Sequence, residues 1–590
     1  MIRKGLSTIK VGCIALLLSS CGHSDHHSAS TTSSDSTLSD QDKLTTATPI
    51  KHLVVIFGEN ESFDHYFGTY PQAKNPTGEP GFTPASGTPT VNGYEANPAL
   101  LTANPNTTNA DNLAAASKAG FSAAFMNPFR IDRTQFDTAS QNHSYTPEQL
   151  ATHGGKMDAF VANTGKGIAG GAGSYGTIAQ VMGYFDGNTV TGMWNYAQHF
   201  AMSDNMYTDS FGPSTPGALN VVAGTTNGGA GATSGTVPDG QGGFTLINDS
   251  DPAGDACDAS ATGDLQMTGK NIGDLLNAAN ITWGGFMGGF DRTATNANGT
   301  TGCARSTVSP NTNRTVVDYV PHHAWFQYYT STANPQHTRP SSTAMIGHTE
   351  PTLDAAGSTT PVHHQYDYND FVAAVSSGNY ASVSYIKAPS FQDAHPGNSN
   401  ALDEQAFVTK VVNFLEQQPD WKNTAVVVTY DDSDGWYDHM APTILHSSFD
   451  STTTESINAP NGTFASGSVN ITGADQVAGN GLCTGPSAAP AAGIGGKTIN
   501  GRCGPGSRIP FILISPYAKV NYVDSTPITQ ASVIRFIEDN WLNGARLNGG
   551  SDDATTGSIM AMFDFTSAPH TTPVFVDPIQ GTVTATAPSA

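Results

Sequence analysis

Two oxygen-rich pairs set the chemical question. Glu59-Asn60 follows the apolar run 52–57 (HLVVIF), and Asp431-Asp432 follows 424–430 (TAVVVTY). Carboxylate and amide oxygens are the ligands a hard divalent cation takes. Such a cation neutralises charge on phosphoryl oxygens, which phosphate ester cleavage requires. A nucleophile for that chemistry stands in residues 211–217 (FGPSTPG), where Ser214 lies between two prolines and two glycines. A turn of that composition holds a hydroxyl in a fixed place, and coordination to a cation would activate it. Taken alone the turn assigns nothing, because such serines are common in structural loops. Imidazoles able to donate to a phosphoryl oxygen or to protonate a leaving alkoxide stand at three places. His143 opens HSYTPEQL, His322-His323 precede the aromatic run 324–329, and His395 sits in FQDAHPG. The chain has 18 His, so composition selects none of them.

Positioning these groups requires a sheet. Runs 52–57, 424–430 and 509–514 (IPFILI) read as buried strands. Between and after them lie helical patterns. Residues 403–418 place Phe407, Val411, Phe414 and Leu415 on one face and stop at Pro419. Residues 530–542 place Val533, Ile534, Ile537 and Trp541 on one face. Strands alternating with helices predict an α/β fold with a mostly parallel central sheet, flanked by helices. In such sheets the site lies just beyond the strands' carboxyl ends, where both oxygen-rich pairs fall.

The chain of 590 residues has only 13% charged residues, with 63 Gly and 35 Pro, so long loops are expected. Its formal net charge of −24 argues against nucleic acid as a partner. Arg3, Lys4 and Lys10 precede a short apolar stretch, 11–18, and then Leu18-Ser19-Ser20-Cys21. This is the pattern of a bacterial lipoprotein signal peptide over 1–20, with Cys21 lipidated. Residues 21–49 read as a disordered tether. The catalytic domain is expected over 50–545, with insertions at about 225–310 and 447–505, and a C-terminal extension over 546–590. Export follows, either lipid-anchored to the cell envelope or secreted, with membrane contact only through the anchor. Cys257, Cys303, Cys483 and Cys503 then suggest two disulfides. Local pairing would join Cys257 to Cys303 and Cys483 to Cys503, but three connectivities are open.

Together these segments resemble a bacterial phosphoesterase family that contains acid phosphatases and phosphatidylcholine-type phospholipases C. The resemblance rests on 55–71 (VIFGENESFDHYFGTYP), 204–224 (DNMYTDSFGPSTPGALNVVAG) and 427–442 (VVTYDDSDGWYDHMAP), with shorter blocks at FQDAHPGNSN and VIRFIEDNW. It implies an alkaline-phosphatase-like fold with long loop insertions. One divalent metal ion (calcium, magnesium, manganese or zinc) is implied, with Glu59, Asn60, Ser214, Asp431 and Asp432 as ligands. Ser214 becomes the attacking nucleophile. His143, His323 and His395 become phosphate contacts or proton donors, with His322 and His323 binding substrate. Glu61 and Gln530 depart from the family's usual Arg and His. Ser214, where many phospholipase members have Thr, favours the acid phosphatase branch acting on small phosphate monoesters. The alternative is a phospholipase C using the same site on phospholipid, with Trp325, Phe326, Tyr328 and Tyr329 against the lipid. A non-enzymatic surface lipoprotein would instead have lost site residues.

Overall fold

The two apolar runs that end in oxygen ligands lie side by side. In the computed structural model, residues 41, 43–231, 235–258, 264–448, 454–458, 468–472, 483 and 489–588 are described. The signal segment 1–20, Cys21, the tether before residue 41 and much of 447–505 lie outside them. The main sheet has eight strands: β1 (His52–Gly58), β2 (Ala201–Ser203), β3 (Trp283–Met287), β4 (Gln365–Asp367), β5 (Val383–Lys387), β6 (Thr424–Tyr430), β7 (Phe511–Ile514) and β8 (Tyr522–Asp524). Their spatial order is β4-β3-β5-β1-β6-β7-β2-β8. Neighbours run parallel except at β7, which is antiparallel to both β6 and β2. The expected α/β class with a mostly parallel sheet is what the chain forms.

Every residue of β1 and β6 is buried, whichever face its side chain takes. Strands covered on both faces read as unbroken apolar runs rather than alternating ones, which is why both were visible in the sequence. The helices that matter for the site are α1 (Phe63–Phe67), α2 (Tyr145–Thr152), α3 (Thr191–His199), α4 (Ser214–Ala223), α5 (Ala401–Glu416) and α6 (Ala531–Trp541). The apolar face expected on 403–418 buries Phe407, Val411 and Leu415, with Phe414 only partly covered. That on 530–542 buries Val533, Ile534, Ile537 and Trp541. Helix α4 packs against α6, and α3 against α5.

The stretch 225–310 holds a small four-stranded antiparallel sheet built from Asn227–Ala230, Thr236–Pro238, Phe244–Leu246 and Gln266–Met267. It then returns to the main sheet as β3. The cysteines pair locally, Cys257 with Cys303 and Cys483 with Cys503, at Cα separations of 5.1 and 5.5 Å. The C-terminal residues lie along α5. Asn413 exchanges two hydrogen bonds with the Val576 backbone, at 2.8 and 3.0 Å, and Val574 N donates to Glu416 Oε1 at 2.9 Å.

Candidate active site

Register places the acids. β1 and β6 pair from His52 opposite Thr424 to Gly58 opposite Tyr430. The next residue on each strand, Glu59 and Asp431, therefore emerges at the same level. Asp431 N donates to Gly58 O at 3.2 Å, and Glu61 N donates to Asp432 O at 3.0 Å, so the ladder continues into the site. Asn60 has φ 65°, a left-handed conformation that Asn accepts more readily than most residues. This turn brings Asn60 N to Asp431 Oδ1 at 3.0 Å.

Ser214 arrives from a different element, at the N-terminus of α4. Two glycines allow it. Gly212 has φ +123°, closed to other residues without strain, and its N–H donates to Glu148 Oε2 at 3.0 Å. A Cβ added at Gly217 would stand 2.2 Å from Asp431 O, so only glycine lets α4 lie against the end of β6. The Ser214 hydroxyl, 2% exposed, donates to Glu59 Oε2 at 2.8 Å and lies 3.4 Å from Asp432 Oδ2. The start of α4 also carries the positive end of the helix dipole toward any phosphate there.

Asp431 and Asp432 are each anchored to the backbone through one oxygen. Asp431 Oδ1 accepts the Asn60 and Asp432 amides, at 3.0 and 2.7 Å. Asp432 Oδ1 accepts Asp434 N at 2.6 Å. Asn60 Nδ2 donates to Asp434 Oδ1 at 2.9 Å. What remains is uncommitted: Asn60 Oδ1, Asp431 Oδ2 and Asp393 Oδ2 are buried with no hydrogen-bond partner among the described residues. Buried oxygens are normally satisfied, so an orphaned set beside a serine hydroxyl fits a cation. Burial and the neighbouring Asp431 push Glu59 well above the usual carboxylate range. Burial and Asp431 do the same to Asp432, and burial raises Asp393 to about 8. Asp431 goes the other way: burial would raise it, but Lys387 and the backbone amides outweigh that.

Four imidazoles form an arc beside these groups. Ring centroids are 6.0 Å apart for His143 and His395, 6.4 Å for His395 and His323, and 4.5 Å for His323 and His322. His143 Nδ1 lies 3.0 Å from Asp434 Oδ1. Burial opposes its charge, but Asp432 and Asp434 overcome this and hold it well above its ordinary value. His323 Nδ1 lies 3.0 Å from Glu59 Oε1, and burial with the cationic neighbours keeps this ring neutral. Burial also lowers His395, whose Nδ1 lies 2.8 Å from Pro396 O. His322 is the outermost, with 31% of its side chain exposed and Nδ1 3.4 Å from Asp251 Oδ1.

Every site residue picked from the sequence thus falls in one cluster. Reading the sequence missed Lys387, Asp393, Asp434 and Glu148. Asp393 and Asp434 lie inside the quoted blocks FQDAHPG and YDDSDG, but only the fold shows which acid in each turns inward. Lys387 ends β5, and its ammonium ion-pairs with Glu59 Oε1. Glu148 ties three loops together, accepting Gly212 N, Ser433 Oγ at 2.7 Å and Ser507 Oγ at 3.3 Å. Gln530 donates to Tyr430 O and Asp431 O at 3.1 and 2.6 Å and so braces the end of β6. Trp325, Phe326, Tyr328 and Tyr329 are at most 1% exposed. They pack the core, Trp325 against Phe57 and Tyr385, rather than facing a substrate.

A mostly parallel α/β sheet with a serine hydroxyl and a cluster of buried acids at its carboxyl edge is an arrangement that suits phosphate ester hydrolysis. The phosphoesterase family model matches residues 50–542, and the chain belongs to that family. The chain is similar to phospholipase C A of Mycobacterium tuberculosis, 22% identical over 540 residues, which cover 89% of this chain and 79% of that protein. It is also similar to non-hemolytic phospholipase C of Pseudomonas aeruginosa, 22% identical over 503 residues covering 83% of this chain and 54% of the relative. A third relative, non-hemolytic phospholipase C of Burkholderia pseudomallei, is 27% identical over 208 residues, covering 34% and 25%. The protein is an ester-bond hydrolase of this family.

Proposed function

We propose that this chain is an exported, metal-dependent phosphoesterase that hydrolyses small phosphate monoesters through a phosphoseryl intermediate on Ser214. The observation that carries the reading is the Ser214 hydroxyl, 2.8 Å from Glu59 Oε2 and 3.4 Å from Asp432 Oδ2, with orphaned ligand oxygens beside it. Glu59, Asn60, Asp431, Asp432 and Ser214 would hold one divalent ion. An all-oxygen set with an amide suits calcium, magnesium or manganese better than zinc. When bound, the ion supplies positive charge for the phosphoryl oxygens and for the serine oxygen.

The chain's own groups account for the proton movements. The Ser214 proton passes to the carboxylate it already faces as Oγ attacks phosphorus. The Oγ–P bond forms while the bond to the leaving alkoxide breaks in line. His143, whose affinity for a proton Asp432 and Asp434 raise, gives its proton to the leaving oxygen. Water then attacks the phosphoserine and the Oγ–P bond breaks in line; His143, now neutral, takes the water's proton, and Ser214 Oγ recovers its own proton from Glu59. His323 and His395, held neutral, orient phosphoryl oxygens by hydrogen bonding. His322 stands at the mouth, where it meets the substrate's outer part.

The phospholipase C names of the relatives favour a second reading, in which the same site cleaves phosphatidylcholine-type phosphodiesters. The core position of the aromatics after His323 and the serine nucleophile support the monoesterase. One experiment separates the two: rates on a soluble aryl phosphate and on phosphatidylcholine vesicles, for wild type and Ser214→Ala. The monoesterase reading expects faster turnover of the aryl phosphate and loss of at least about 10³-fold in the variant. Wild-type turnover by Ser214→Ala overturns the mechanism. A preference for vesicles that Ser214→Ala abolishes replaces the first reading with the second. Export from the N-terminal pattern is part of the same proposal, and cell fractionation with a Cys21→Ser variant tests it.

A further inference from the structure

Glu59 is shared between two neighbourhoods. Its Oε2 faces Ser214. Its Oε1 faces His323 Nδ1 at 3.0 Å and the Lys387 ammonium. On that second side, Glu59, His323 and Asp393 each offer one atom, all within 4.8 Å of one another, a spacing that can hold a metal ion. All three are buried, and Asp393 Oδ2 has no hydrogen-bond partner among the described residues. Asp431 Oδ2, also orphaned, borders the same space and lies 3.8 Å from Lys387 Nζ. A compact ammonium with three donors is the side chain closest to a point cation.

We propose that Lys387 places its ammonium in a second cation position formed by Glu59, His323 and Asp393, so the site holds one exchangeable divalent ion beside one built-in charge. This rests on the reading that Glu59, Asn60, Asp431, Asp432 and Ser214 hold the exchangeable ion. The molecule contains a parallel case. Asp64, Asp438 and His439 have the same metal-like spacing, and Arg508 enters their middle, 2.8 Å from Asp64 Oδ1 and 3.0 Å from Asp438 Oδ2. There the guanidinium, with five donors, leaves the triad no orphaned oxygens. At the active site the ammonium pairs with Glu59 and leaves Asp393 and Asp431 oxygens open. A neutral residue at 387 would expose three mutually repelling carboxylates and a neutral imidazole, a mixed oxygen and nitrogen set that manganese or zinc accepts.

The test counts metal on the full chain, stripped with a chelator, reloaded with excess Mn²⁺, desalted and measured by elemental analysis. Wild type and Lys387→Arg are expected to carry one equivalent, Lys387→Met two, and the double variant Lys387→Met/Asp393→Asn one. Lys387→Met, folded by circular dichroism, remaining at one equivalent overturns the proposal, as does wild type taking two. Asp393→Asn in the wild-type background gives an answer even where Lys387→Met does not fold. It keeps the single equivalent, with affinity within about threefold, if Asp393 faces the ammonium, and loses it if Asp393 is a ligand of the exchangeable ion. Wild type holding no metal overturns the underlying reading as well, which separates the two failures.

Discussion

The same two stretches of chain build two acidic clusters with opposite fates. The first supplies Glu59 and Asn60 to one cluster and Asp64 to the other. The second supplies Asp431, Asp432 and Asp434 to one, and Asp438 and His439 to the other. Around Asp64 the charges are matched. Arg508, fully buried, binds both Asp64 and Asp438 and donates to Asn92 O and Asp204 O at 2.8 and 2.9 Å. His439 Nδ1 lies 2.6 Å from Asp64 Oδ2. Burial alone would raise Asp64, but His439 and Arg508 hold it below its ordinary value. Around Glu59 the acids outnumber their cationic neighbours Lys387 and His143, and oxygens go unpaired. Residue type does not distinguish the two clusters; the balance of acids against cations does.

Removing a member of each cluster should therefore do opposite things. The largest expected effect is on catalysis: Asp432→Asn lowers turnover of an aryl phosphate by about 10³-fold, or about 4 kcal/mol. The same change leaves the melting temperature of the metal-free protein unchanged or higher, because it relieves repulsion. A melting temperature that drops along with activity would break the comparison. Next comes stability. Arg508→Met leaves Asp64 and Asp438 buried without their partner and is expected to cost about 3–5 kcal/mol of unfolding free energy in urea melts. A variant as stable as wild type contradicts the architectural role.

A smaller effect is the dependence of stability on pH. Burial raises Glu148, Glu404 and Asp209 to about 7 and Asp393 to about 8. These groups bind protons more tightly folded than unfolded, so each loses stabilising effect as pH rises toward its folded pKa. His65 and His364, lowered to about 4 by burial, give the opposite slope, but only below their unfolded value near 6.5. Above pH 6.5 the carboxyl groups act together with the raised His143, His322 and His439, which slope the same way. The metal-free protein should then melt lower at pH 8 than at pH 6.5, and metal should shrink the difference. A flat or rising profile over that window would show that the surplus charge is absent. The smallest change expected is for His322→Gln, at the exposed end of the arc, which should reduce turnover by less than about tenfold. A loss matching that of Asp432→Asn would move His322 into the centre of the chemistry.

Much of this architecture is legible in the amino-acid sequence. β1 and β6 are long, β-branched and fully covered, so each stood out as an apolar run, and the polar residues after them pointed at the site. Helices α5 and α6 appeared within two residues of their expected ends because their apolar faces repeat at helical spacing. Other parts left no local mark. β3 reads WGGFM, with glycines where a strand signal needs β-branched residues. β2 and β4 have three residues each, too few for any period. Lys387 ends an apolar strand, and nothing near it in sequence shows that it meets Glu59. The pairing of Arg508 with Asp64 spans 444 residues. Charge balance is a tertiary property, so the distinction between the two clusters could not be drawn from motifs.

The reversed direction of β7 has an evolutionary consequence. Thr429 near the end of β6 pairs with Phe511 at the start of β7, so the chain leaves the sheet and re-enters it on the same rim. Whatever length the part of the intervening stretch beyond Asp438 acquires, its two roots stay beside Ser214. That part can be lengthened, shortened or re-sequenced with no strand of the scaffold disturbed.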